Sequence, residues 1–301
     1  MRADTGRGAL IRSMPWVFVL IWSTGFVVAR FGMPHAPPMT FLALRFGCSL
    51  VCFGVWVGLA RVEWPQQRGQ WLHLGVVGVL MHAGYLGGVW AAVKVGIGAG
   101  TVALLVGLQP VLTAVWTAAT SASSSGRPGV SVRQWLGLAL GLGGLALVVW
   151  HKLGSGELTA WNLSLAIFAL LCITVGTLYQ KRYVLPCDVR SASAVQLGAA
   201  LLVSLPFALL ETEPVSWDPQ MIGALAWSVL ALTLGGSSLL YLLIQRGAAT
   251  EVTSLMYLVP PCTALLGWAL FGESFTLSMA IGMVLTVGGV ALVARSPEAV
   301  R

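Results

Sequence analysis

Charge is scarce in this sequence. Asp, Glu, Lys and Arg together make up 9% of it, while 57% is hydrophobic. Soluble domains carry about 25% charged residues, so this composition cannot supply a water-facing globular surface. Long loops are missing too: no connection between apolar runs much exceeds a dozen residues, which leaves no room for a soluble domain. Acidic residues are absent from the middle of every apolar run. Asp4, Glu63, Glu157, Asp188, Glu211, Glu213, Asp218, Glu251, Glu273 and Glu298 all fall in a tail, in a loop or at the end of a run.

Other absences narrow the chemistry. Cys48, Cys52, Cys172 and Cys262 lie inside apolar segments and Cys187 in a short loop, so no disulfide framework or zinc spacing is present; these are small packing residues. No nucleophile, base and acid are grouped, and no phosphate loop or metal motif occurs, so no cofactor is expected. The abundant Gly-x-Gly patterns fall in apolar runs and are not nucleotide loops. The net charge is +7, yet no basic stripe is interleaved with aromatics, which argues against nucleic-acid binding. Arg2, Arg7 and Arg12 precede an apolar run, but no convincing cleavage site follows, so an uncleaved first helix is expected.

What the sequence has is apolar length. Ten runs can be drawn: Met14–Phe31, Met39–Ala60, Trp71–Lys94, Ala99–Ala119, Val132–Trp150, Ala160–Gln180, Arg190–Leu210, Pro219–Gln245, Glu251–Phe271 and Phe275–Ala294. Each approaches the roughly 20 residues that cross a ~30 Å hydrocarbon core as a helix. The last two are joined only by Gly272-Glu273-Ser274, so they form a tight helical hairpin.

That hairpin has an earlier copy. A shift of 151 residues places Gly247 on Gly96, Leu255 on Leu104 and Pro261 on Pro110. Beyond the hairpin a shift of 145 places Gly282, Gly288 and Gly289 on Gly137, Gly143 and Gly144. The chain therefore looks duplicated, a first repeat over residues 14–150 and a second over residues 160–295. Basic residues orient it. With a cytoplasmic N-terminus, thirteen Lys and Arg fall inside, and only Arg30, Lys94 and Lys152 outside, which puts both termini in the cytoplasm. Five runs per copy then force the second copy to insert upside down relative to the first, the inverted-repeat design of secondary transporters.

The run Pro261, Leu270-Phe271-Gly272-Glu273, Gly282 and Gly288-Gly289-Val290 resembles the end of an EamA domain, a family of the drug/metabolite transporter superfamily. The resemblance covers essentially the whole chain in two copies. It implies ten helices in two five-helix repeats and efflux or exchange of small metabolites, often amino acids. The aromatic-rich central helices are similar to those of an amino-acid exporter of that superfamily. The first copy departs from the pattern, because the Ser-rich loop Ser121–Gly126 replaces Gly-Glu at its fourth-to-fifth hairpin.

Candidate site residues follow from polar faces and breaks. Pro110, Pro260 and Pro261 interrupt matching runs and free the carbonyls of Val106, Met256 and Tyr257, which marks them as hinges beside a transport site or as structural kinks. His82 and Tyr85, with Trp90 beyond, share a face of the third run, answered in the eighth by Thr233, Ser237 and Tyr241. Thr233 occupies the repeat position of His82. Trp22 is mid-span, in a Trp22-Ser23-Thr24-Gly25 stretch answered by Ile173-Thr174-Val175-Gly176. Tyr257 lies beside the broken ninth run. The expected substrate-binding set is Trp22, His82, Tyr85, Trp90, Ser237, Tyr241 and Tyr257; a satisfied interhelical hydrogen bond accounts equally well for His82, and lipid-facing packing for Trp22. Arg45, whose repeat partner is Gln196, is expected to snorkel toward the outer face.

These features predict an all-α integral membrane protein of the bacterial inner membrane, monomeric and multi-pass, that moves a small-molecule substrate by alternating access and exports amino acids or related compounds down their gradient without ion coupling. An integral-membrane enzyme acting on lipid is the alternative, and a non-transporting scaffold is third. No enzymatic site is expected.

Overall fold

The computed structural model describes residues 3–60, 62–125, 131–154, 157–236, 238–239 and 256–294. Among these residues the fold is all-helical. In chain order the helices are α1 (Ala3–Gly32), α2 (Pro38–Leu59), α3 (Arg68–Lys94), α4 (Ala99–Val106 and Gln109–Ser125), α5 (Val132–Gly154), α6 (Ala160–Tyr183), α7 (Val189–Leu210), α8 (Pro219–Gly235), α9 (Met256–Phe271) and α10 (Leu277–Ala294). Seven of them are long and apolar enough to cross a membrane; α8, α9 and α10 are shorter apolar helices. Two boundaries differ from expectation. α1 begins well before Met14, and α4 continues through Ser121–Ser125, where a loop was expected. Serine is a neutral helix residue, and nothing in those five positions breaks a helix.

Helix starts obey local chemistry. Pro38 and Pro219 occupy first-turn positions, where a missing N–H costs nothing. Thr159 and Asn162 form a reciprocal capping box on α6, and the Asp188 and Asp218 carboxylates cap α7 and α8. The bundle is buried at its centre and apolar at its rim. Phe41, Phe46, Phe53 and Val89 are sealed in the core, while Leu59, Trp150 and Leu202 are more than 70% exposed. So much uncovered Leu and Trp on many helices suits hydrocarbon as the surrounding solvent.

Helix pairing is regular. α5 packs along α10, α2 along α7, and α4 against α9, while α1 packs on α8 and α9, and α3 on α6 and α7. Residues 33–40, 94–100, 157, 211–218 and 273 meet at one end of the bundle, hereafter the Glu273 end. At the opposite end Gln70 holds the Leu185 backbone and the Ser191 hydroxyl donates to the Glu63 carbonyl.

Candidate functional site

Two turns of π-helix mark the middle of the bundle. Val79–Gly84 is wound this way inside α3, and Ser228–Gly235 ends the described part of α8. A π turn takes in an extra residue, shifts the side chains beyond it around the axis, and recurs at functional sites. His82 lies in the first and Thr233 in the second. Apolar periodicity gives no warning of either, because one inserted residue barely alters a pattern in which almost every position is apolar.

Arg45 reaches across to the second turn. Its Nε and Nη2 both donate to Thr233 Oγ1 at 3.2 Å, and that hydroxyl donates to the Ser228 carbonyl at 2.8 Å. Arg45 is only 7% exposed and lies 5.5 Å over the Trp90 ring. It does not snorkel. The expectation failed because a neutral acceptor and an aromatic face in the interior hold the guanidinium more effectively than a reach back along its own helix. Around it lie His82, beside the Gln196 side chain, and Tyr85, about one turn of α3 before Trp90. Phe46 meets the His82 ring edge-on at 6.2 Å, and Phe41 packs on Trp90 at 6.3 Å.

The structure thus brings His82, Tyr85 and Trp90 together with Arg45, Gln196 and Thr233. Trp22 is nearby, half-buried against Phe18 and lying over Gly236 just past the second π turn. Tyr257 is not in this group. It packs with Val111, Val290 and Val293 between α4 and α10. Ser237 and Tyr241 lie outside the described residues. Two grooves of about 320 and 410 Å³ open elsewhere, one between α1 and α8 and one beside Lys94 and Glu213.

The interrupted helices meet. α4 breaks at Gly107-Leu108, so Pro110 starts a new segment instead of kinking an old one. α9 opens with a tight 3-10 turn, Met256–Leu258, and Pro260 then falls in the first turn of Val259–Phe271. The prolines are therefore tolerated at helix starts, and the irregular backbone lies just before them. A side chain at Gly107 would come 2.9 Å from Pro260 Cγ, so the two breaks press on each other.

The Glu273 end is closed by carboxylates. Glu273 accepts from the Ala99 and Gly100 amides at 2.8 and 3.3 Å, capping α4, and Glu157 accepts from the Gly98 amide at 3.2 Å. Glu211 accepts from the Met39 and Thr40 amides at 3.0 and 2.7 Å, capping α2. Lys94 pairs with Glu213 at 2.5 Å and His35 with Asp218 at 2.7 Å. Negative charge at a helix N-terminus satisfies free amides and opposes the helix dipole. Glu211, Glu213, Asp218 and Glu273 each bind a partner in the first half of the chain from the second half.

The EamA-like transporter family model matches residues 14–150 and again residues 160–295. The chain belongs to the EamA-like transporter family. Similar proteins include the uncharacterized inner membrane transporter YedA of Escherichia coli K12, 25% identical over 262 residues, covering 85% of this chain and 81% of that one. The uncharacterized transporter YvbV of Bacillus subtilis is 25% identical over 281 residues, with 91% and 88% covered. A protein of Salmonella typhimurium named "Probable amino-acid metabolite efflux pump" is 25% identical over 281 residues, covering 90% of each chain. A crystal structure of 20% sequence identity superposes with a TM-score of 0.62 over 93% of this chain and 94% of that one, which establishes the fold of this EamA protein alone.

Proposed function

We propose that this EamA-family protein exports small metabolites, amino acids or related compounds, across the bacterial inner membrane by alternating access between two inverted five-helix repeats, residues 14–150 and 160–295. The observation that carries this reading is a set of crossed contacts. Under the internal shift Arg45 corresponds to Gln196 and His82 to Thr233; Arg45 binds Thr233, and Gln196 lies beside His82. Gly25 corresponds to Gly176 and Met81 to Leu232; Gly25 faces Leu232, and Gly176 abuts Met81. Contacts exchanged in this manner are what a two-fold axis produces. Arg45 is the eighth residue of α2 and Gln196 the eighth of α7, and the two helices start at opposite ends of the bundle, which supports an axis in the membrane plane.

The thirteen-to-three distribution of Lys and Arg supports an orientation with the Glu273 end outside and both termini inside. The closed carboxylate network is then the outer gate, and substrate enters from the cytoplasm toward the group around His82. Trp22, Tyr85, Trp90, Ser237 and Tyr241 complete the proposed path, with Pro110, Pro260 and Pro261 as hinges. The names of relatives that cover about nine-tenths of the chain support amino-acid metabolites as cargo. The test is flux of radiolabelled amino acids through purified protein in liposomes. Saturable, stereoselective counterflow is expected; a folded protein that moves no metabolite across the bilayer would defeat the proposal.

A further inference from the structure

Among the described residues Arg45 is a buried cation with no anion paired to it. Its Nε and Nη2 are taken by a neutral hydroxyl, while Nη1 has no partner. Three more buried polar atoms close by are also unpartnered: Trp90 Nε1 on the ring beneath the guanidinium, Ser49 Oγ one turn along α2, and Ser228 Oγ on the residue whose carbonyl anchors Thr233. Trp90 is 2% exposed, and Ser49 and Ser228 are sealed. Buried polar groups are otherwise almost always satisfied, and an uncompensated charge is the most costly exception.

No ion pair among the described residues includes Arg45. Among the described residues Glu157, Glu211 and Glu273 are spent on helix-start amides, and Asp188, Glu213 and Asp218 on cations and caps at the ends of the bundle. No acidic residue occurs within a span. We infer that the missing anion is the substrate's carboxylate: Arg45 Nη1 and Trp90 Nε1 are the donors that recognise it, while the aromatic surface of Phe41, Phe46, Tyr85 and Trp90 contacts the rest of the molecule. Guanidinium and carboxylate match in charge and in planar geometry. Desolvation by the surrounding core makes that match a strong discriminator against uncharged analogues. The inference rests on the transport reading and adds a substrate class to it, small carboxylates and zwitterions.

The experiment compares L-leucine and L-phenylalanine with leucinamide and phenylalaninamide, by ligand-induced thermal shift on the purified full chain and by counterflow in liposomes. The wild type should favour at least one acid over its amide by about tenfold or more. In Arg45→Gln that preference should fall to near unity. Trp90→Phe keeps the ring and removes the donor, and should lower the preference by a smaller factor, so it serves if Arg45→Gln fails to fold. Acid and amide moving equally well in the wild type would overturn the carboxylate assignment and leave transport intact. An unchanged preference in a folded Arg45→Gln would overturn it as well. Folded protein that neither binds nor moves any of the four compounds would overturn both readings.

Discussion

Gly137 and Gly289 meet backbone to backbone: a side chain carbon added at Gly289 would come 2.5 Å from the Gly137 carbonyl oxygen, and one added at Gly137 would come 2.6 Å from that of Gly289. Gly144 and Gly282 stand in the same relation. These four glycines let α5 and α10 approach closely along their length, as small residues do in membrane helix pairs. Their neighbours Gly143 and Gly288 belong to the same sequence repeat yet face open space.

That difference makes a first prediction. Gly144→Ala and Gly289→Ala should each destabilise the protein by about 1–3 kcal/mol through overpacking. Gly143→Ala and Gly288→Ala should be neutral or stabilising by up to about 1 kcal/mol, because alanine is the better helix residue. Thermal unfolding of the four variants in detergent is the measurement, and equal effects at all four positions would contradict the helix pairing.

The contact between Gly107 and Pro260 makes a second. Gly107→Val forces the two helix breaks apart, and Pro261→Ala restores an amide where the 3-10 turn gives way to helix. Both should lower transport rate by about tenfold, a barrier change near 1.4 kcal/mol, and Pro261→Ala should do so with little loss of expression or melting temperature. Loss of stability in proportion to activity would reduce the breaks to packing features.

Glu273 provides a third. It caps α4 across the halves at the end assigned to the outside. Glu273→Ala should cost about 1 kcal/mol, as loss of an N-cap does, and should raise the reactivity of a cysteine placed at Gly98 toward an impermeant thiol reagent added outside. Flux driven by a substrate gradient alone should persist in the wild type, since the Glu273 carboxylate is engaged in capping and no acidic residue of the sequence falls in the middle of an apolar run. Uphill accumulation driven by a pH or sodium gradient would refute that uniport behaviour.

Topology supplies a fourth. Cysteines at Thr212 and at Trp64 lie in connections at opposite ends of the bundle. The Thr212 site should label from outside intact cells, and the Trp64 site only after permeabilisation. The reverse result would invert the orientation and the assignment of the gate.

A fifth concerns acid. Arg190 hydrogen-bonds the Asp188 carboxyl and holds it below its ordinary value of 3.8. A carboxyl depressed on folding adds stability above its unfolded value and loses it as pH falls through the folded one. Asp188→Asn should therefore lower the melting temperature near neutral pH, and the deficit should shrink below about pH 3.8. A deficit that stays constant across that range would remove the ion pair from the account.

Membrane class, helix number and the family were legible in the chain itself. Apolar length and charge depletion are set by the bilayer, whatever the packing, and the shifts of 151 and 145 residues are properties of one string compared with itself. Those shifts also named the partners of Arg45 and Thr233 without showing that they cross over. Direction was not legible. Nothing in the order of residues tells whether Arg45 turns to the surface or to Thr233, that Gly144 is enclosed while Gly143 is bare, or that Tyr257 packs beside Val290 and away from His82. The two π turns were hidden for the same reason, while the prolines marked the interruptions near Pro110 and Pro260 without showing that the irregular backbone comes just before them. A helix that is apolar all round has many faces of nearly equal hydrophobicity, so its rotation and its irregular turns are fixed by the close fit of neighbouring helices, which exists only once the tertiary structure has formed.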